Sequence, residues 1–197
     1  KSFLSLYDAR NKAINFSTGK YIAFLDTDDW WLKNKIKEQI NFLKKNDEFK
    51  IICTNIFLYN DGNKKKKKWH LNLPSGKITQ KLLDNYSIGI SSILIDKSIF
   101  KNNMFNRIYN IIGDYDLFIK LSISYKIASL NTPLTFYRIH DSNFSNKKLD
   151  IYYLELKNWL KKNERMFKRN KLRVTKVKYL LFKLRVKTII RKLKLTF

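Results

Sequence analysis

Apolar residues follow two different spacings along the first 150 residues of the chain. Helical spacing occurs in four segments, residues 8–18, 33–45, 78–86 and 114–125. Shorter apolar runs, which predict strands, occupy residues 21–25, 51–59, 91–95, 127–130 and 134–137. The run at 21–25 has no polar alternation and is typical of a strand buried on both faces, as in a parallel sheet. This order of strands and helices predicts an α/β domain.

Basic residues are unevenly distributed along the chain. The net charge is +25, and residues 151–197 contain 16 basic and 2 acidic residues in a helical pattern. Such a segment predicts either an amphipathic helix on an anionic membrane surface or a helix that packs on the domain with a solvated basic face. We therefore divide the chain into a domain, residues 1–148, and a basic helical tail, residues 149–197. A run of five lysines at 64–68 predicts a solvated loop.

The cysteine content and the hydropathy indicate where the protein acts. Cys53 is the only cysteine, so no disulfide can form within the chain, and a reducing compartment is the natural interpretation. Cys53 lies in an apolar run, which predicts a core residue rather than a nucleophile. No stretch approaches about 18 uncharged apolar residues, so no transmembrane helix is predicted. We expect a cytoplasmic protein, peripheral on the inner face of the cell membrane.

Three carboxylates occur within four residues directly after the first predicted strand. They are Asp26, Asp28 and Asp29. Open α/β sheets bind ligands at the carboxyl ends of their strands. A hard divalent cation offsets the repulsion between carboxylates, and Mg²⁺ prefers one or two of them together with phosphate oxygens. The residues themselves thus predict a metal–diphosphate site, and the alternative is a helix N-cap formed by Asp28 or Asp29.

Three segments of the chain carry recognisable motifs. The first joins Ala-Arg-Asn at 9–11 to Gly-Lys-Tyr-Ile-Ala-Phe-Leu-Asp-Thr-Asp-Asp at 19–29. The second is Gly-Asp-Tyr-Asp-Leu-Phe-Ile-Lys-Leu at 113–121, and the third is Pro-Leu-Thr-Phe-Tyr-Arg-Ile-His at 133–140. Taken together, these segments resemble the family-2 glycosyltransferases, and the resemblance covers about residues 8–145. It implies a GT-A-like fold, a partial parallel or mixed sheet flanked by helices, with the basic helical tail following it.

The first segment implies the residues that bind the donor. In the resembling family, the first Asp of this motif contacts the nucleotide ribose, a role that falls on Asp26. The second binds Mn²⁺ or Mg²⁺ at the diphosphate, a role that falls on Asp28, and Asp29 is then a supporting carboxylate. Arg10 and Asn11, from the Ala-Arg-Asn helix, are implied to belong to the donor-binding site.

The other two segments imply a base and a diphosphate contact. Asp114 takes the role of the general base of inverting transfer, although the residue before it is Gly113 where the family usually has Glu. Arg138 and His140 are implied to lie near the diphosphate, Arg138 as a donor to phosphate and His140 as a metal or phosphate contact. The alternative for Asp114 is a carboxylate that favours a helix N-terminus, and for His140 a structural histidine.

The resemblance implies an enzyme of bacterial polysaccharide biosynthesis. It would transfer a sugar, with inversion and with a divalent metal, from a nucleotide-diphosphate sugar to a glycan or lipid-linked acceptor of the cell surface. In the family, further strands precede the Ala-Arg-Asn helix. We therefore expect an N-terminally truncated domain whose strand at 21–25 has an unpaired edge.

Two other functions remain open at this point. The high positive charge also suits a basic module that binds nucleic acid, but the sequence has neither a zinc-finger spacing nor an aromatic RNA-binding signature, so no specific nucleic-acid partner is predicted. The third candidate is a non-catalytic remnant of a glycosyltransferase.

Overall fold

The computed structural model describes residues 4–140 and 148–194. It shows a mixed β-sheet with helices on both faces. The helices are α1 (Leu6–Phe16), α2 (Lys35–Lys45), α3 (Thr79–Asp84), α4 (Gly113–Ser124), α5 (Leu149–Lys162), α6 (Glu164–Arg169) and α7 (Thr175–Lys194). The strands are β1 (Tyr21–Ala23), β2 (Trp30–Trp31), β3 (Ile51–Asn60), β4 (Lys66–Lys68), β5 (Ile93–Asp96) and β6 (Ile127–Ile139). Single 3-10 turns cover Ile90–Ser92 and Lys97–Lys101.

The sheet has the strand order β1-β5-β3-β6-β2, and β4 pairs with β3 beside this path. Strands β3 and β6 are parallel, and the other pairs are antiparallel. The α/β fold with a mixed sheet flanked by helices is therefore confirmed. The parallel direction expected for the strand at 21–25 was wrong, because β1 runs antiparallel to β5, with Ile22 opposite Ile95. Among the described residues, β1 pairs with β5 alone and so forms one edge of the sheet.

The two strands predicted at 127–130 and 134–137 are one long strand, β6. Thr54 of β3 lies opposite Leu130, and Asn55 lies opposite Pro133, so β6 has extra residues at this point and bulges. A proline fits inside a strand at such a bulge, because the missing N–H is not needed by the ladder. The sequence around Pro133 therefore indicated a break where the structure has an irregularity.

Part of the lysine run is also a strand, which corrects the predicted loop. Strand β4 pairs with β3 so that Lys68 lies opposite Phe57 and Lys66 opposite Tyr59. The turn after Asn60 brings the lysines back beside β3, whose backbone groups are available for pairing. All three lysine side chains of β4 are exposed, so their charges remain in water.

Two apolar cores lie on opposite faces of the sheet. The smaller one packs α2 on the sheet through Leu43, Ile52, Leu94 and Ala128. The larger one joins α1, α4 and the helices after residue 148, whose buried members are Leu156, Trp159, Phe167, Val177 and Leu184. Residues 149–194 thus share a core with the preceding sheet, and the division at residue 148 stays a prediction. Within the described residues, no helix has both the length and the apolar character needed to cross a membrane.

Candidate active site

A cavity of about 520 Å³ opens beside the loop that follows β1. Its polar walls come from separate parts of the chain: Tyr7 and Arg10 on α1, Asp26 and Asp28 after β1, Asp114 on α4 and Tyr137 on β6. Four residues predicted for the site from the sequence, namely Arg10, Asp26, Asp28 and Asp114, therefore line one cavity. The four nearby carboxylates, together with burial, raise the pKa of Tyr137 to about 12, burial being the larger cause.

Arg10 and Asp26 form a close ion pair at one wall of the cavity. Arg10 Nη2 lies 2.5 Å from Asp26 Oδ1, and the Arg10 side chain is 10% exposed. The guanidinium also lies over the rings of Tyr7 and Phe105, which fixes its orientation. The backbone N–H of Asp26 donates to Ser91 Oγ at 3.1 Å. Asp26 is thereby held from both its side chain and its backbone.

Asp28 and His140 are 112 residues apart in sequence and meet in the structure. Asp28 Oδ2 lies 2.9 Å from His140 Nε2, and both side chains remain partly exposed. Among residues 4–140 and 148–194, no group of three or more His, Cys, Asp or Glu side chains could hold a metal ion. A carboxylate and an imidazole nevertheless fit an ion that takes its other ligands from water and substrate phosphate oxygens, as Mg²⁺ and Mn²⁺ do.

Asp29 ties the acidic loop to strand β6. Asp29 is 8% exposed, and its carboxylate accepts the backbone N–H of Arg138 at 3.1 Å. Burial raises the pKa of Asp29 to about 6, although hydrogen bonds from Ser91 and Arg138 act in the opposite direction. The guanidinium of Arg138 lies 5.3 Å from the ring centroid of Trp30. A phosphate contact by the Arg138 side chain remains a prediction.

Asp114 lies in the first turn of α4 and also lines the cavity. Its Oδ1 accepts the backbone N–H of Tyr115 at 2.8 Å and lies 3.5 Å from the hydroxyl of Tyr7. Burial raises the pKa of Asp114, and the charge of Asp26 adds to this shift, while Arg10 opposes it. A carboxylate with a raised pKa is a better proton acceptor than an ordinary one, which suits a general base.

The departure from the family pattern at Gly113 has a structural reason. A Cβ atom at this position would lie 2.5 Å from Cε2 of Tyr7, closer than any ordinary contact. The Tyr7 ring is 1% exposed, and its hydroxyl donates to the carbonyl of Ile111 at 2.8 Å. Tyr7 thus occupies the space beside the backbone just before Asp114. No feature of the sequence signals this contact, because Tyr7 and Gly113 are far apart along the chain.

Glu155 on α5, which was not predicted from the sequence, also supports the wall that carries Asp114. Its carboxylate accepts the backbone N–H groups of Asn110, Ile111 and Ile112, at 2.6, 3.0 and 3.2 Å. Four residues further along α5, the indole N–H of Trp159 donates to Asp116 at 2.8 Å. The available signal was the scarcity of acids: Glu155 is one of only 2 acidic residues after residue 150.

Asn11 has a different environment from its neighbour Arg10. Its Nδ2 donates to the carbonyl of Phe105 at 2.8 Å, and its Oδ1 accepts the backbone N–H of Phe105 at 3.0 Å. Both ends of the amide therefore hold α1 against the segment at residue 105. A direct role of Asn11 in donor binding remains a prediction.

Two bacterial proteins of known name are similar to this chain. WfgD of Escherichia coli, a UDP-Glc:alpha-D-GlcNAc-diphosphoundecaprenol beta-1,3-glucosyltransferase, is 30% identical over 143 residues, which are 71% of this chain and 54% of WfgD. AmsB of Erwinia amylovora, an amylovoran biosynthesis glycosyltransferase, is 29% identical over 140 residues, 66% of this chain and 46% of AmsB. The chain thus spans about half the length of these relatives.

The chain shares its fold with a solved structure and matches one family in sequence. The crystal structure of Staphylococcus aureus TarS (residues 1–349) superimposes with a TM-score of 0.54 and 13% sequence identity, over 79% of this chain and 45% of that chain. This likeness concerns the fold alone. Residues 4–106, more than half of the chain, match the family described as Glycosyl transferase family 2, and this range contains Arg10, Asp26 and Asp28. The resemblance noted in the sequence is thereby confirmed: the protein belongs to glycosyltransferase family 2.

Proposed function

We propose that the protein transfers a sugar from a nucleotide-diphosphate sugar to a glycan or lipid-linked acceptor of a cell-surface polysaccharide, with inversion at the anomeric carbon. The observation that carries the proposal is the arrangement of the cavity. Asp28, which pairs with His140, lines it, and so does Asp114, whose pKa is raised. The Asp28–His140 pair suits a charged diphosphate, and Asp114 suits a hydroxyl that must lose its proton.

The donor is proposed to bind beside the loop after β1. Asp26, oriented by Arg10, would accept a hydrogen bond from the ribose hydroxyl groups. Asp28 and His140 would hold Mn²⁺ or Mg²⁺, with the diphosphate completing the coordination. Such an ion offsets negative charge on the departing nucleotide diphosphate. Arg138, whose backbone is fixed by Asp29, would bring its guanidinium to the same phosphates.

Asp114 is proposed to take the proton of the acceptor hydroxyl. The hydroxyl would then attack the anomeric carbon on the side opposite the leaving diphosphate, and this displacement inverts the anomeric configuration. Tyr7 and Glu155 both form hydrogen bonds with the backbone of Ile111, and these bonds fix the segment just before Asp114. The position of the base is therefore set before the acceptor binds.

The names of the relatives support one class of acceptor. The name of WfgD specifies a diphosphoundecaprenol-linked acceptor, and that of AmsB specifies biosynthesis of a polysaccharide. We propose an acceptor of the same class, a glycan carried on a lipid diphosphate. The enzyme would then act in the cytoplasm at the inner face of the cell membrane.

Calorimetric titration with UDP and GDP, with and without Mn²⁺, tests the donor site. We expect Mn²⁺-dependent binding that Asp28→Asn abolishes, because the amide is a weaker ligand for a hard cation than the carboxylate. Asp47→Asn is the matched control, since it removes an exposed carboxylate outside the cavity. Nucleotide binding that is equally strong without metal, or that survives Asp28→Asn, would contradict the proposed metal site.

A further inference from the structure

Helix α7 has two separate apolar stripes. The first faces the protein: Val177 and Leu184, seven residues apart, are 2% and 5% exposed. The second, which we call the outer stripe, is 37–62% exposed and consists of Tyr179, Phe182, Val186, Ile189 and Ile190. Successive residues of a helix advance by about 100°, so the outer stripe lies on the side opposite Val177. The contacts with the protein core therefore leave a second apolar face of the helix uncovered within the described residues.

Cations border the outer stripe on both sides. Lys178 and Arg185 lie along one flank, and the other flank has Lys176, Lys183 and Lys187. All five side chains are exposed, and α7 contains no acidic residue. This pattern differs from that of an ordinary surface helix, in which the face opposite the core is polar.

We propose that the outer stripe of α7 lies in the interface of an anionic lipid bilayer, with the helix axis along the membrane plane. Apolar side chains would enter the boundary of the acyl chains, and the flanking lysine and arginine side chains would extend to the anionic headgroups. The inference rests on the proposed function in one respect: a lipid-linked acceptor is held in the membrane. It goes further by assigning the surface through which the enzyme meets that membrane.

The surface fits lipid better than two other occupants. A nucleic acid would contact the cations through its phosphates but would leave the outer stripe in water. A second copy of the chain would bring together two regions with 16 basic and 2 acidic residues each, and like charges oppose such an approach. An anionic bilayer satisfies the apolar stripe and both cationic flanks at the same time.

Helix α5 connects this surface to the active-site cavity. Leu154 on α5 is 54% exposed and lines a cavity of about 340 Å³ together with Arg185 and Ile189 of α7. The next residue, Glu155, binds the backbone at 110–112 beside Asp114. A membrane-bound α7 would therefore hold the cavity at a fixed height above the bilayer, which suits an acceptor whose reactive sugar projects from a lipid.

Vesicle sedimentation tests the proposal on the 197-residue chain. Vesicles of phosphatidylcholine alone are compared with vesicles that also contain phosphatidylglycerol, in the absence of nucleotide. We expect binding to the anionic vesicles only, reduced at least about tenfold by the triple change Phe182→Ser, Val186→Ser and Ile189→Ser. The matched control replaces three exposed apolar residues elsewhere, Phe16→Ser, Leu71→Ser and Ile108→Ser, and should keep full binding.

A second pair of variants separates charge from apolar contact. Lys176→Gln, Lys178→Gln and Lys183→Gln should weaken binding to the anionic vesicles, whereas Lys66→Gln, Lys67→Gln and Lys68→Gln, with the same change in net charge, should not. Equal loss in both sets would indicate adsorption by overall charge and would overturn the proposal. So would a dimer in sedimentation velocity that the outer-stripe variant converts to monomer.

The test is independent of the donor site. Calorimetry with UDP and GDP and Mn²⁺ on the outer-stripe variant should give wild-type affinity, since no residue of the stripe lines the active-site cavity. Absence of vesicle binding with an intact donor site would overturn the membrane surface alone. Absence of nucleotide binding with intact vesicle binding would overturn the proposed function and leave the membrane surface in place.

Discussion

The ring of Tyr7 stands against the backbone of Gly113, at 2.5 Å from the place where a Cβ atom of residue 113 would be. The hydroxyl of the same tyrosine donates to Ile111 and lies 3.5 Å from Asp114 Oδ1. The absence of a side chain at 113 and the aromatic ring at 7 are therefore two parts of one arrangement. Together they fix the start of α4, where the proposed base lies.

Gly113→Ala should destabilise the protein by about 1–3 kcal/mol, because the added methyl group overlaps the buried ring. Urea denaturation measures the effect, and Gly19→Ala is the control, since its Cβ would meet only an ordinary contact with Tyr21 O. In a Tyr7→Leu background the penalty of Gly113→Ala should shrink, because the ring is no longer there. A penalty that is the same in both backgrounds would show that the two residues are not coupled.

Asp114→Asn should lower the rate of sugar transfer by about 10²–10⁴-fold while the affinity for the donor stays unchanged. In the wild type, the carboxylate must be ionised to accept a proton, so activity should rise with pH through its pKa. Because burial raises that pKa, the acid limb of the rate profile should lie above the ordinary aspartate value of about 4. Asp84→Asn, an exposed substitution on α3, is the control. Equal losses of donor affinity and rate would make Asp114 a structural residue.

Glu155→Gln should reduce both stability and transfer rate. The amide keeps the shape of the side chain, but its NH₂ group would face backbone N–H donors at 110–112 and leave some of them unsatisfied, at a cost of about 1–3 kcal/mol. Chemical denaturation and a transfer assay measure the two effects. Glu164→Gln is the matched control, because this exposed acid pairs with Lys168 on its own helix. An unchanged rate in Glu155→Gln would exclude a positioning role.

Lys35 should make stability depend on pH. Its side chain is 0% exposed, with Nζ 2.8 Å from Gln39 Oε1, and burial lowers the pKa of Lys35 to about 7. In the unfolded chain the amine stays protonated up to about pH 10. Between these values the unfolded state binds the extra proton, so the free energy of unfolding contributed by Lys35 rises with pH.

The free energy of unfolding of the wild type should therefore rise by roughly 2 kcal/mol relative to that of Lys35→Met between about pH 7 and pH 9. Urea denaturation at several pH values measures this difference, and it does not depend on the constant cost of the lost hydrogen bond to Gln39. Lys37→Met, an exposed neighbour on α2, should show no such slope. Parallel pH profiles for wild type and Lys35→Met would mean that Lys35 remains charged in the folded protein.

The sequence predicted those features that depend on nearby residues. The apolar runs at 21–25 and 51–59 marked strands, and the spacing of apolar residues marked α1, α2 and α4. Strand direction was not predictable in this way, because an apolar run does not report the direction of the neighbouring strand β5. Likewise, Pro133 indicated two strands, since nothing local distinguishes a bulge from a break.

The same distinction between local and long-range features applies to the candidate site. Asp26 and Asp28 were found because both follow directly after a predicted strand, and Asp114 and His140 because the family resemblance extends to them. The contact of Tyr7 with Gly113 and the contact of Glu155 with Ile112 join residues that are far apart in sequence. Such contacts depend on the packing of the whole molecule, and a single sequence does not reveal them.

The hydrogen bonds from α5 to the start of α4 also affect when the protein becomes active during its own synthesis. A chain that stops just after residue 148 keeps all three motif segments but lacks Glu155 and Trp159, which hold the backbone around Asp114. A nascent chain on the ribosome also lacks the contacts of Glu155 and Trp159 until α5 has emerged. Activity should therefore begin only after this helix has docked, and nonsense mutations at 149–154 should give inactive products although every motif residue is encoded.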